Sequence, residues 1–153
     1  MTLLSPRRAA LLALALAACG GDDPERAARR TTAHRAACVA VDLAVRANTN
    51  ISALDSLRQG PAPGLVETLY PYQKAYFDYA KARERQTAWA DSAAAATSEQ
   101  DSARYAEQVA RNTPSRGTPG TPQANAAATY ERDFAAAMAN PDHPCNQVQS
   151  DER

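Results

Sequence analysis

The sequence predicts an all-α protein: a small, elongated bundle of three or four helices, with a loop rich in Pro, Gly and Thr ahead of the last one. Three observations carry that expectation. Of the 153 residues, 36 are alanine, which has the highest helix propensity and lets helices approach closely. From Cys19 onward, Leu, Ile, Val and Phe together number only 14, too few to fill the centre of a broad globule and enough for a slim bundle. Those that are present recur at helical spacing, and no strand-like alternation appears. The length suits one domain, and no internal repeat is visible.

The N-terminal segment reads as an address. Arg7 and Arg8 precede an unbroken apolar run from Ala9 to Ala18. That run is too short to cross a hydrocarbon layer of about 30 Å as a helix, and it suits the apolar core of a secretory signal. It closes on Leu16-Ala17-Ala18-Cys19-Gly20, which resembles the lipobox of bacterial lipoproteins. The resemblance covers only the first 20 residues. It implies cleavage before Cys19, a thioether-linked diacylglycerol on its sulfur and acylation of the new amino group. Two or more acyl chains hold a protein stably on a membrane where one does not. In that class an Asp directly after the cysteine favours the inner membrane, and Gly20 points instead to the outer membrane, on its periplasmic face. Asp22 and Asp23 also fit a surface-export signal of some lineages. The expected divisions are a signal at 1–18, a lipidated tether at 19–25, a helical domain at 26–145 and a disordered tail at 146–153.

The first helix is expected from about Pro24 to Gln59. Cys38, Val41 and Val45, then Ile51, Leu54 and Leu57, mark its apolar stripe, and Asn48-Thr49-Asn50 predicts a kink or break. Gly60 to Gly64 is a turn. In the second helix Leu65, Leu69, Tyr72, Tyr76 and Tyr79 step by 4, 3, 4 and 3, a heptad-like seam. Pro71 falls inside it, so the helix either kinks there or truly opens there. Thr97-Ser98-Glu99-Gln100 has the form of a capping box and predicts a third helix whose inner face carries Tyr105 and Val109. Thr113 to Pro122 is low-complexity and reads as a loop. Thr121 then caps a last helix with Pro122 in its first turn, Tyr130, Phe134 and Met138 along one side, and Asn140-Pro141 as its stop.

Charge excludes some functions. With 17 basic and 17 acidic groups the chain is formally neutral, without the basic excess of a nucleic-acid binder. Removal of residues 1–18 leaves it near −2, too weak a balance to predict adhesion to an anionic surface. No G-x-S-x-G, H-E-x-x-H or phosphate-cradling glycine loop occurs. Asp78, Glu84 and Asp91 alternate with Lys74, Lys81, Arg83 and Arg85, the pattern of a solvated helix face and not of an acid–base pair. The sequence therefore predicts no enzyme, no catalytic residue and no cofactor.

Cysteine arithmetic is more informative. With Cys19 lipidated, Cys38 and Cys145 remain as an even pair, which in an oxidising compartment predicts a disulfide. The alternative use of these residues is a metal site formed by His34, Cys38, His143 and Cys145, with His34 one helical turn before Cys38. The aromatics offer a second possible site. Tyr72, Tyr76 and Tyr79 belong to the seam, whereas Tyr70 and Phe77 fall on another face. With Trp89 they would line a cleft for a glycan, peptide or other small ligand. The expected partners are a membrane, through the N-terminal lipid, and an envelope protein that meets a helical face; nucleic acid is not among them. The reading is a structural or adaptor lipoprotein, with ligand binding as its alternative and metal binding behind both.

Overall fold

The computed structural model of the chain describes residues 23–58, 60 and 63–147. Four long helices make up the bundle: α1 (Pro24–Arg58), α2 (Pro63–Ala95), α3 (Glu99–Arg111) and α4 (Pro122–Ala139); a single turn, α5 (Pro144–Gln147), follows. The signal segment, Cys19 and most of the tether lie outside the described residues, as does the tail beyond Gln147. Among the described residues no helix is long and apolar enough to cross a membrane.

α1 and α2, at 35 and 33 residues, form a helical hairpin roughly 50 Å long. α1 opens at Pro24, inside the stretch expected to be tether, because the Asp23 carboxylate accepts the Glu25 N–H at 3.1 Å and caps the first turn. The break expected at Asn48–Asn50 is absent. Thr49 Oγ1 donates to the Val45 carbonyl at 3.1 Å and Ser52 Oγ to that of Asn48 at 3.0 Å. These back-bonds keep polar side chains inside the helix that would otherwise compete with it. α2 likewise passes through Pro71 without ending.

α3 turns back along the base of α2. Its cap lies one residue beyond the expected one: Ser98 Oγ accepts the Asp101 N–H at 3.1 Å, so the box is Ser98 with Asp101. Tyr105 stacks on Trp89 with ring centroids 5.8 Å apart. Residues 113–121 form the expected loop, and Gly117 and Gly120 take positive φ within it. α4 begins as predicted, with Thr121 Oγ1 accepting the Ala124 N–H and Pro122 in the first turn. It lies across both helices of the hairpin.

Small residues build the core. Val39, Leu43, Ala44 and Ala47 of α1 meet Tyr79 and Ala80 of α2, Ala127 and Tyr130 of α4, and Cys145 of α5, and Ala40 is buried as well. This corrects the expected stripe of α1: Val41, Val45 and Leu57 are exposed, while the alanine-bearing face is buried. Alanines there bring the helix axes close, and large side chains on that face would hold them apart. The one large, wholly buried ring at the centre is Tyr130. It packs on Tyr79, Tyr76 and Phe134 at centroid distances of 5.4, 5.9 and 6.0 Å.

Candidate functional site

The C-terminal turn is tied to α1 and α4 by a disulfide and a set of polar contacts. Cys38 and Cys145 stand 107 residues apart in sequence, with sulfur atoms 2.13 Å apart and Cα atoms 5.7 Å apart, the separation of a disulfide. Polar contacts fix the turn around that pair. Arg35, almost one helical turn before Cys38, donates from Nε to Asn146 Oδ1 at 2.8 Å and from its guanidinium to the Met138 carbonyl at 3.1 Å. Asn146 donates to the carbonyls of Ala137 and Asn140. Asn146 is thus an anchor where the sequence predicted a disordered tail.

His143 is buried beside Cys145. Its Nδ1 accepts the Cys145 N–H at 3.3 Å, which leaves the proton of a neutral ring on Nε2. Nε2 faces Asp42 Oδ2 at 3.4 Å, an electrostatic contact without hydrogen-bond geometry. Asp42 also pairs with Arg46 at 2.9 Å, one turn further along α1. These groups stand at one end of a groove of about 670 Å³ between α1 and α4. Leu43, Ala47, Tyr76, Ala136 and Ala137 supply its apolar lining, and Arg46, Asn50, Gln73, Asp133 and Asn140 its polar one.

On the α2–α4 side two tyrosines donate to carboxylates: Tyr76 to Asp133 at 3.0 Å and Tyr79 to Glu131 at 2.8 Å. Arg83 approaches the same Glu131 oxygen at 3.2 Å. Burial raises the Tyr76 hydroxyl well above the ordinary phenol range, and its hydrogen bond to Asp133 adds to that. Tyr79 is raised for the same reasons, with Glu131 in place of Asp133. Tyr130 is raised by burial, with Arg83 opposing. All three phenols are held neutral, Tyr76 and Tyr79 as donors to carboxylates and Tyr130 by burial alone.

The residues singled out in the sequence fare differently. Cys38 and Cys145 come together. Tyr70, Phe77 and Trp89 do not. Tyr70 lies under the Arg58 guanidinium, 5.0 Å from its ring centre, at the far end of the hairpin. Phe77 packs against the core. Trp89 is 12 residues further along α2, roughly 18 Å of helix, and belongs to the α3 stack. No cleft joins them, because positions 77 and 89 point to different sides of one helix. The four-residue metal set also comes apart. The two sulfurs face each other, while His34 turns to Asp91 at 3.2 Å and His143 to Asp42. Among the described residues no group of three or more His, Cys, Asp and Glu is placed to hold a metal ion.

Sequence reasoning missed Asp42, Arg35 and Asn146. The signal was available in the cysteine pairing. Once 38 and 145 are joined, the neighbours one turn away on α1, at 35 and 42, must meet 143 and 146. No protein-family model, curated protein or solved structure matches the chain.

Proposed function

We propose that the protein is a non-catalytic adaptor of a bacterial cell envelope, anchored by a lipid on Cys19 to the periplasmic face of the outer membrane and meeting another protein through a helical face. One observation carries this reading: the way three cysteines divide. Cys19 stands in a lipobox-like sequence behind a basic and then apolar segment. The other two stand at bonding distance and suit an oxidising compartment. α1 begins at Pro24, shortly after Cys19. An anchored base would therefore lie close to the bilayer, and the hairpin would present its far end roughly 50 Å away. Both ring nitrogens of His143 face other groups of the protein, and the Tyr76 and Tyr79 hydroxyls are engaged as neutral donors to carboxylates, which favours a scaffold over a catalyst.

Intact mass of the chain recovered from a Gram-negative host tests this. The expected species starts at Cys19, carries three acyl chains, is two hydrogens lighter than the reduced form and fractionates with outer membranes. Cys19→Ser should abolish the lipid and release the protein. A wild-type chain with an unmodified Cys19, or one that keeps residues 1–18, overturns the reading.

The groove favours a second reading, the binding of a small polar ligand. Its size suits one, and Arg46, Asn50, Gln73 and Asp133 offer donors and acceptors around an apolar lining. Amide chemical shifts on addition of peptidoglycan fragments would test it. Changes confined to these residues and reduced by Asp133→Ala support it, and their absence removes it for that class of ligand.

A further inference from the structure

His143 is buried in the C-terminal turn, with 7% of its surface exposed. Its Nδ1 accepts the Cys145 N–H at 3.3 Å. An imidazole nitrogen accepts only while it carries no proton. The hydrogen of the neutral ring is therefore on Nε2, 3.4 Å from Asp42 Oδ2, and neither of those two atoms makes a hydrogen bond. A second proton on the ring has one place to go. On Nδ1 it would meet the Cys145 N–H donor against donor, and that bond would be lost. The ring would gain instead a full positive charge beside the Asp42 carboxylate.

We propose that His143 is a pH-sensitive latch of the C-terminal turn: neutral, it holds the backbone at Cys145; protonated, it releases that backbone and pairs with Asp42. The surroundings suit the charged ring. α1 brings Asp42 and Arg46, which pair with each other at 2.9 Å. α4 brings Asp133, bonded to the neutral Tyr76 of α2, and Asp142 precedes the ring in its own turn. Among the residues lining the groove these three carboxylates stand against the single guanidinium of Arg46. Arg35 is held by Asn146 and the Met138 carbonyl, and Arg132 reaches Asp133 only at 3.5 Å from an exposed position. The turn is also built to open locally. Its other backbone bonds, His143 N–H to the Asn140 carbonyl and Asn146 N–H to the His143 carbonyl, involve no ring atom. The Cys38–Cys145 bond keeps a released turn within reach of α1, so the change is reversible. His143 and Pro144 border the groove, so acid reshapes that end of it. The latch depends on neither the lipid anchor nor a ligand in the groove.

Amide hydrogen exchange and the ring nitrogen NMR signals of His143, followed together in the full-length chain from about pH 8 to about pH 5, test it; imidazoles ordinarily change charge in that interval. With intrinsic exchange rates corrected for, protection of the Cys145 amide should fall about tenfold, the weight of one hydrogen bond, in step with the ring signal. Val39 and Ala80 should keep their protection. In His143→Asn the side-chain oxygen can accept the same N–H and carries no titrating proton, so protection at Cys145 should no longer depend on pH. Asp42→Asn takes away the partner of the charged ring and should move the wild-type change to lower pH. Circular dichroism and an intact Cys38–Cys145 bond will show that both variants fold. A ring signal that does not change down to about pH 5 overturns the latch. So does Cys145 protection that is unaffected when the ring takes up its proton, or a loss shared equally by Val39 and Ala80. A His143→Asn variant that keeps the wild-type pH dependence overturns it as well.

Discussion

Tyr130 sets the terms at the scale of single residues. Its ring is wholly buried, yet its hydroxyl has no hydrogen-bond partner among the described residues. The ring stabilises and the hydroxyl costs. Tyr130→Phe is therefore expected to leave stability unchanged or raise it by up to about 1–2 kcal/mol, since it removes an unpaired buried group. Tyr130→Ala should lower stability by about 3–5 kcal/mol through lost burial and a cavity. Urea unfolding of the two variants separates these contributions. Alkali provides a second check. Tyr76, Tyr79 and Tyr130 are all raised in the folded protein above the ordinary phenol value of 10.0. The folded form thus holds more protons than the unfolded form once pH passes about 10. Their contribution is complete below that pH and is lost as pH rises through the ordinary phenol range toward the folded values. Tyrosinate absorbance should accordingly keep a late stage, beyond the ordinary phenol range, in which Tyr76, Tyr79 and Tyr130 ionise together with unfolding. A single stage at the ordinary value would refute the buried hydrogen-bonded arrangement.

At the scale of elements, the helices were legible where end signals and spacing agree. The Thr121–Pro122 start of α4 and its stop at Asn140 follow from capping chemistry that needs no neighbour. The Cys38–Cys145 pairing was legible because cysteine chemistry leaves few choices. Which face of α1 is buried was not. Val41 and Val45 are the more apolar residues, but close helix approach rewards the Ala40, Ala44 and Ala47 side, a preference that appears only once α2 and α4 are in place. The break at Asn48–Asn50 failed for a related reason: serine and threonine back-bonds and a packed neighbouring helix outweigh weak local propensity. Pro71 shows the same override. It lies exposed inside α2 and cannot donate to the preceding turn. Pro71→Ala should restore that hydrogen bond and raise stability by about 1–3 kcal/mol, measured by thermal or urea unfolding. A loss of stability would mean that the shape Pro71 gives α2 is needed for α4 to seat.

At the scale of the whole molecule, the core is thin and the covalent tie correspondingly matters. The Cys38–Cys145 bond closes a loop of 107 residues, for which the chain-entropy model gives about 4–5 kcal/mol and engineered cases often less. The Cys38→Ala, Cys145→Ala double variant should be less stable by about 2–5 kcal/mol and lose order first in α5. Hydrogen exchange at Cys145 and Asn146, compared with that at Val39 and Ala80, would show whether the loss begins there. The same loop encloses the exposed 113–121 connection between α3 and α4. A protease that cuts that connection produces two pieces, yet the cross-link spans the cut and Tyr130 remains seated between the tyrosines of α2. The nicked protein would run as one chain without reductant and as two with it. Wherever a protease can reach that connection, the bond would then turn a severing cut into a tolerated scar.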